Sequence, residues 1–285
     1  METRLKEVIY SSHPTTRNPI KVFGQVRKEL KEAIQLGYRL ASRNITAQYR
    51  QSALGLFWAV LPPLLNSLVW IILQSQQVIQ FDSLSVPYPA FVLIGTLLWQ
   101  LFSKSITLVL NSAQSNKSLL SKINFPREAL IFSAIFEILF NAAISLCIIF
   151  VALLGFGIPL GWHTLLSLLG VISIIVFGVM LGLLLFPISM LYRDIQLGLP
   201  ILLQFAMYLT PVIYPTPNYN GWGKLLAYNP VIPLLETTRN WLLGISTQSP
   251  YYSFILIISI SLVLMLIGIV LYRLSMNIII ERIGS

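Results

Sequence analysis

Long apolar runs separated by short polar breaks set the pattern of this chain. A membrane-spanning helix needs about 20 mostly apolar residues. Six stretches meet that need, at roughly 56–79, 89–110, 129–154, 163–190, 197–214 and 251–273. The fifth is short and leads into a proline-rich segment. The pattern predicts an all-α integral membrane protein with six spanning helices.

Three pieces fit no span. Over 24–50, Val26, Leu30, Ile34, Tyr38, Ala41 and Ile45 recur at three- or four-residue steps, and Arg27, Lys28, Lys31 and Arg39 fall largely off that stripe. This is a basic amphipathic helix, expected to lie in the membrane interface, with a cytoplasmic helix packed on the protein's own loops as the alternative. Residues 1–50 thus form a cytoplasmic tail plus interface helix, and 51–285 a transmembrane domain. The second piece, about 111–128, contains "SLLSKINFPREAL", in which Leu119, Leu120, Ile123 and Phe125 suggest one face of a short helix. The third, 215–250, carries Pro215, Pro217, Pro230, Pro233 and Pro250 and two short apolar stretches near 222–228 and 231–244. Both are too short to span. They read as a re-entrant pair, since irregular backbone at membrane depth requires cover by protein or a water-filled cavity. Two surface helices on the outer leaflet are the alternative.

Composition agrees. Of 285 residues, 56% are hydrophobic and 10% charged, and the mean hydropathy is +0.77; a soluble domain carries about 25% charge. A net charge of +9 could point to nucleic acid, but its placement argues otherwise. Ten of nineteen Lys and Arg residues (Arg4, Lys6, Arg17, Lys21, Arg27, Lys28, Lys31, Arg39, Arg43 and Arg50) precede the first apolar run. Anionic headgroups attract such a segment. With the N-terminus inside, the cytoplasmic segments also gain Lys117, Lys122, Arg127, Arg193, Arg273 and Arg282, leaving Lys224 and Arg239 outside. The positive-inside rule then places both termini in the cytoplasm. Lys104 lies within the second run, close enough to its cytoplasmic end to snorkel. No secretory signal peptide is expected, because the first fifty residues lack an apolar core.

Candidate chemistry is sparse. Cys147 cannot form an intrachain disulfide, and His13 and His163 lack metal-ligand spacing. The sequence holds no G-x-x-x-x-G-K-[ST] phosphate loop, no G-x-S-x-G and no H-E-x-x-H. A catalytic site, a metal site and ATP binding by that loop are therefore not expected. Glu137 is the one acidic residue deep in a run, with Asn141 one turn along as its expected partner. It reads as a helix–helix contact or an ion site; the absence of a second ionisable group at that depth favours the contact. Arg193 and Asp194 mark a tight cytoplasmic turn, and Gly178 and Gly182 permit close helix approach. Trp58, Trp70, Trp99, Phe205, Tyr208 and Tyr214 suit either interface belts or a pore wall stacked against sugar rings.

Five stretches together are similar to the permease subunits of ABC-2 type polysaccharide exporters, which move O-antigen, capsule or teichoic acid chains. They are "RNITAQYRQSALGLFWAVLPP" with Arg43, Tyr49, Leu54, Gly55, Trp58 and Pro63; "VPYPAFVLIGTLLW" with Tyr88, Phe91, Gly95 and Trp99; the Asn116–Glu128 loop; Tyr192, Arg193 and Asp194; and Pro211, Val212, Tyr214 and Pro215 followed by Asn229 and Pro230. Asn44 stands where the family usually has Asp, and Thr46, Gln48 and Ser52 also depart from its pattern. The resemblance implies a homodimer in the bacterial inner membrane, with two ABC ATP-binding subunits holding ATP and Mg. This chain itself would have no cofactor and no enzymatic activity. The substrate would be a lipid-linked polysaccharide, in lipopolysaccharide biosynthesis or a related pathway. Lys117, Leu119, Leu120, Lys122, Ile123, Phe125 and Arg127 would dock the ATPase. Arg43, Tyr49 and Arg50 would meet substrate at its entrance, and Trp58, Phe205, Tyr208 and Tyr214 would line the channel. Tyr228, Asn229, Pro230, Glu236 and Arg239 would form an outer gate. An ABC-2 exporter of a drug or small lipid is the alternative, and a membrane enzyme or proton-coupled carrier acting on lipid-linked sugars a more distant one.

Overall fold

A computed structural model describes residues 19–50, 52, 54–79, 84–116, 126–216, 228–245 and 251–284, with side chains in those ranges from Leu30 to Met276. Among them are eight helices: α1 (Pro19–Arg50), α2 (Phe57–Ser75), α3 (Tyr88–Ser115), α4 (Glu128–Gly155), α5 (Trp162–Leu191), α6 (Arg193–Leu209), α7 (Val231–Leu243) and α8 (Tyr251–Gly284). Five of them, α2 to α5 and α8, are long and apolar enough to cross a membrane.

The fifth expected span is shorter than predicted. Residues 197–214 were expected to cross, whereas α6 runs over 17 residues and stops at Leu209. Pro211 explains the stop. A proline disfavours helical geometry in the residue before it, and Thr210 is extended at φ −101°, ψ 140°. At its other end α6 starts four residues early, because Tyr192 is extended and breaks the chain sharply from α5. Asp194 then sits in its first turn, where a negative charge is favoured.

α3 is the central helix. Ala90, Val92, Ile94 and Val109 are fully buried, enclosed by α2, α4, α5, α6 and α7. α5 lies directly against it. A Cβ at Gly178 would stand 2.6 Å from Ser105 Cβ, and one at Gly182 would stand 2.9 Å from the Ile106 carbonyl, so both glycines permit the close approach their spacing suggested. α8 covers the other side of α5. Its Tyr272 is fully buried and donates to the Arg127 carbonyl at 3.0 Å, while Arg273 pairs with Glu128 at 2.7 Å. These contacts anchor the start of α4, just after the loop that follows α3.

α1 begins at Pro19, where a first-turn proline costs no hydrogen bond. It packs on α4 through only part of the predicted stripe, with Ala41 buried and the Tyr38 ring edge-on to Phe136 at 5.6 Å. Ala33, Leu40 and Ala41 are buried, and Gly37 fits so closely that a Cβ would stand 2.6 Å from Phe132 Cβ. Leu30, Ile34 and Tyr38 remain exposed. Small residues thus face the protein, and part of the apolar stripe is left for a different environment.

Candidate functional site

Three features converge on α3. The first is a groove of about 460 Å3 between α2, α3 and α6, open on one side. Its α3 wall presents Trp99, Gln100, Ser103, Lys104, Thr107 and Asn111, facing Asn66 of α2 and Gln204 and Tyr208 of α6. Pro62, Pro63 and Pro200 also line it. Each proline lacks the N–H that would bond the carbonyl one turn back. The groove therefore offers amides, hydroxyls, aromatic faces and one ammonium. It has no acidic lining residue.

Of the aromatic residues expected along a channel, Tyr208 lines this groove and lies 6.1 Å from the Trp70 ring. Tyr214 donates to the Tyr208 carbonyl at 3.2 Å. Trp58 and Phe205 are exposed and do not line it. Lys104 departs from its predicted posture. Instead of snorkelling toward the cytoplasm, its Nζ turns inward and donates to Asn141 Oδ1 at 2.7 Å. α3 continues eleven residues beyond it, which puts the helix end about 17 Å away, too far for the side chain to reach.

The second feature is a polar bridge that ties α1 to the bundle. Asn44 Nδ2 donates to Glu137 Oε1 at 2.8 Å, and Ser133 Oγ donates to the same oxygen at 3.2 Å. Arg43 Nη2 donates to Asn116 Oδ1 at 2.6 Å and to Asn44 Oδ1 at 3.0 Å. The predicted Glu137–Asn141 pairing takes another form: Asn141 Nδ2 bonds the Glu137 backbone carbonyl, one turn back, at 2.7 Å. Glu137 is thus a helix–helix contact, as expected, but its carboxylate partners come from α1 and Ser133. Asn44, the residue that departs from the family's usual Asp, supplies both a donor and an acceptor here. Asn116, the C-cap of α3, joins this bridge to the start of the loop between α3 and α4. A second cavity of about 190 Å3 beside the bridge shares Thr107 and Asn111 with the groove.

Of the residues expected at the substrate entrance, Arg43 belongs to this bridge. Tyr49 packs 6.3 Å from the Phe140 ring, and burial raises its pKa, so it is a neutral hydroxyl at pH 7. Arg50 is exposed at the end of α1.

The third feature is a keystone at the turn after α6. The stretch 210–216 is irregular, and its carbonyls are satisfied by buried side chains. Arg239 Nη1 donates to the Pro211 and Val212 carbonyls at 2.9 and 3.2 Å, and Tyr88 Oη donates to the Ile213 carbonyl at 3.0 Å. The guanidinium lies 3.8 Å over the Phe91 ring. Gly95 permits the approach, since a Cβ there would strike the Val212 carbonyl oxygen. Asn229 Oδ1 accepts from the Val231 N–H at the start of α7, and its Nδ2 donates to Thr210 Oγ1. Side chains thus satisfy the irregular backbone from within the protein. α7 is a 13-residue helix of about 20 Å, too short to cross. It is packed against α3, α5 and α8. The other predicted stretch, near 222–228, lies outside the described residues except for Tyr228.

This placement changes the reading of the outer-gate residues. Arg239 is 1% and Glu236 3% exposed. Both face the bundle interior, so Arg239 does not act as a charge of an outer loop. Tyr228 is 85% exposed, and Asn229 and Pro230 hold the start of α7. In the loop between α3 and α4, Lys117, Leu119, Leu120, Lys122, Ile123 and Phe125 lie outside the described residues. Arg127 is described, directly before α4.

Comparison with known proteins decides the family. Residues 36–243 match the model described as ABC-2 type transporter, a stretch that runs from mid-α1 to the last residue of α7. The chain belongs to the ABC-2 type transporter family. It is 30% identical over 214 residues to the O-antigen export system permease protein RfbA of Myxococcus xanthus, covering 74% of this chain and 81% of that one. A Klebsiella pneumoniae protein of the same name is 24% identical over 237 residues, covering 79% and 88%. Another from that organism is 22% identical over 257 residues, covering 86% and 95%. All three structural features of this ABC-2 chain fall within the matched stretch. Spacing could not have found the groove, because its wall combines three helices, but the polar steps Gln100, Ser103, Lys104, Thr107 and Asn111 on an otherwise apolar α3 were a readable signal.

Proposed function

We propose that this chain is the channel-forming subunit of an ATP-driven exporter that carries a lipid-linked polysaccharide from the cytoplasm across the bacterial inner membrane. The observation that carries this reading is the open groove on α3. It combines hydroxyls, amides and aromatic faces, which suits sugar rings, in a family whose similar members are named O-antigen export permeases. Two copies face each other, and the grooves form the conduit. The outward apolar residues of α2 and α6, including Leu65, Leu68, Leu197 and Leu202, support this arrangement because they remain half-exposed or more in the single chain. ATP and Mg are held by two separate ABC subunits, docked at the cytoplasmic loop 111–128. Both termini are cytoplasmic, and Leu30, Ile34 and Tyr38 of α1 face the membrane interface.

Co-purification tests the motor. From native membranes in mild detergent, an ATP-hydrolysing subunit is expected with the unmodified chain and not with Phe125→Asp. Loss of the chain is expected to leave finished lipid-linked polymer on the cytoplasmic side. If an ATPase co-purifies and polymer localisation is unchanged, the cargo is a smaller molecule. If no ATPase co-purifies under several mild detergents, the exporter reading fails.

A further inference from the structure

The groove holds one charge that helix packing does not use up. Lys104 sits sixteen residues into α3, roughly 24 Å from its first residue and roughly 17 Å from its last. A cation at such depth is costly and marks a functional position by default. Its ammonium has three N–H donors. Among the described residues one donor is spent, on Asn141 Oδ1, and Asn141 uses its own donor on the Glu137 carbonyl. No carboxylate lines the groove, and Glu137 lines the separate cavity beside it. The neighbouring Ser103, on the same wall, has a buried hydroxyl without a partner among the described residues. An unneutralised ammonium beside an unspent hydroxyl, surrounded by neutral amides, is arranged to receive an anion.

We propose that Lys104 binds an anionic group of the exported molecule, a phosphate or a carboxylate, within the groove. This rests on the groove being the export path. Two donors of the ammonium point to strong, charge-assisted hydrogen bonds in a site of low dielectric. Asn141 holds the side chain across the groove wall and keeps it from retracting. The anion could come from the lipid pyrophosphate or from a charged sugar, and the same chemistry serves both.

The test is equilibrium binding to the full chain, purified in mild detergent without its ATPase. The probes form two matched pairs: polyprenyl pyrophosphate against polyprenol, and an oligogalacturonate against a neutral oligomannoside of equal length. The native chain is expected to hold one anionic probe roughly tenfold more tightly than its neutral match, the value of one charge-assisted hydrogen bond. Lys104→Met removes that preference, and Lys104→Arg keeps it. The pair that shows the preference identifies the source of the anion. Lys104→Cys in a Cys147→Ser background provides a second route: reaction with an aminoethyl thiosulfonate restores a positive charge and the preference with it. A lysine that serves only packing would alter melting and leave the preference intact. No preference in the native chain, or a preference that survives Lys104→Met or the unreacted cysteine variant, overturns the proposal. Because no ATPase or transport is involved, a negative result leaves the export reading to its own test.

Discussion

Arg239→Leu is expected to lower the melting temperature of the purified chain by about 10 °C and to send much of it into aggregates. The change leaves the Pro211 and Val212 carbonyls without their donor and the buried Glu236 carboxylate without its neighbouring positive charge. It also removes the cation over Phe91. Breaking a buried charged contact from one side costs roughly 3–5 kcal/mol, and a kilocalorie is worth about 2–4 °C in a chain of this size. Arg239→Lys should fall between the two, because an ammonium keeps the charge but cannot reproduce the guanidinium's flat stacking on the ring. Melting in mild detergent, followed by size-exclusion chromatography, reads the result. An Arg239→Leu chain that melts with the native one would show that the turn after α6 holds itself together.

The second large effect is expected at the polar bridge. Glu137→Leu removes the acceptor of Asn44 and Ser133 and the countercharge that acts on Arg43. Hydrogen bonds to a charged group contribute about 1.5–3 kcal/mol each, and losing both should loosen the C-terminal half of α1 from α4. Hydrogen exchange across residues 36–50 should then accelerate by at least tenfold, about 1.4 kcal/mol, while exchange in α5 stays unchanged. Glu137→Gln retains an acceptor oxygen and should preserve most of the protection. If Glu137→Leu exchanges like the native chain, the apolar contacts at Ala33, Gly37 and Leu40 hold α1 alone.

Both effects concern residues whose roles were only partly legible in the sequence. Length and apolarity suffice for α2 to α5 and α8, because bilayer thickness fixes how long a span must be. They fail for α6, where Pro211 cuts the helix at Leu209 and the apolar run carries on through the irregular turn. The α1 stripe illustrates a different limit. Periodicity marks an amphipathic helix, but the face that meets α4 combines the stripe's Ala41 with Ala33, Gly37 and Leu40, which lie off the stripe, two of them too small to weigh in a hydrophobic pattern. Arg239 reads as an outer-side charge because the 215–250 segment was assigned to the outer side; only the folded chain shows it bonding carbonyls 27 and 28 residues away. The Pro211–Pro215 and Asn229–Pro230 stretches that resemble the family gain a physical reason here. They build the irregular turn and the start of α7 that Arg239, Tyr88 and Asn229 hold together. The groove was foreshadowed by polar residues on α3 and by Trp99 and Tyr208, yet its walls could not be joined without tertiary packing.

The central claim is that this ABC-2 chain forms the path of a polysaccharide across the membrane. Its most direct measurement is sidedness of transport in sealed vesicles that hold the chain and its ATP-binding partner, with radiolabelled lipid-linked polymer supplied on the ATPase side. The polymer is expected to become protected from an added glycosidase only with ATP and Mg present, and only when the chain is included. Polymer that stays fully digestible in vesicles with active ATP hydrolysis would contradict the account.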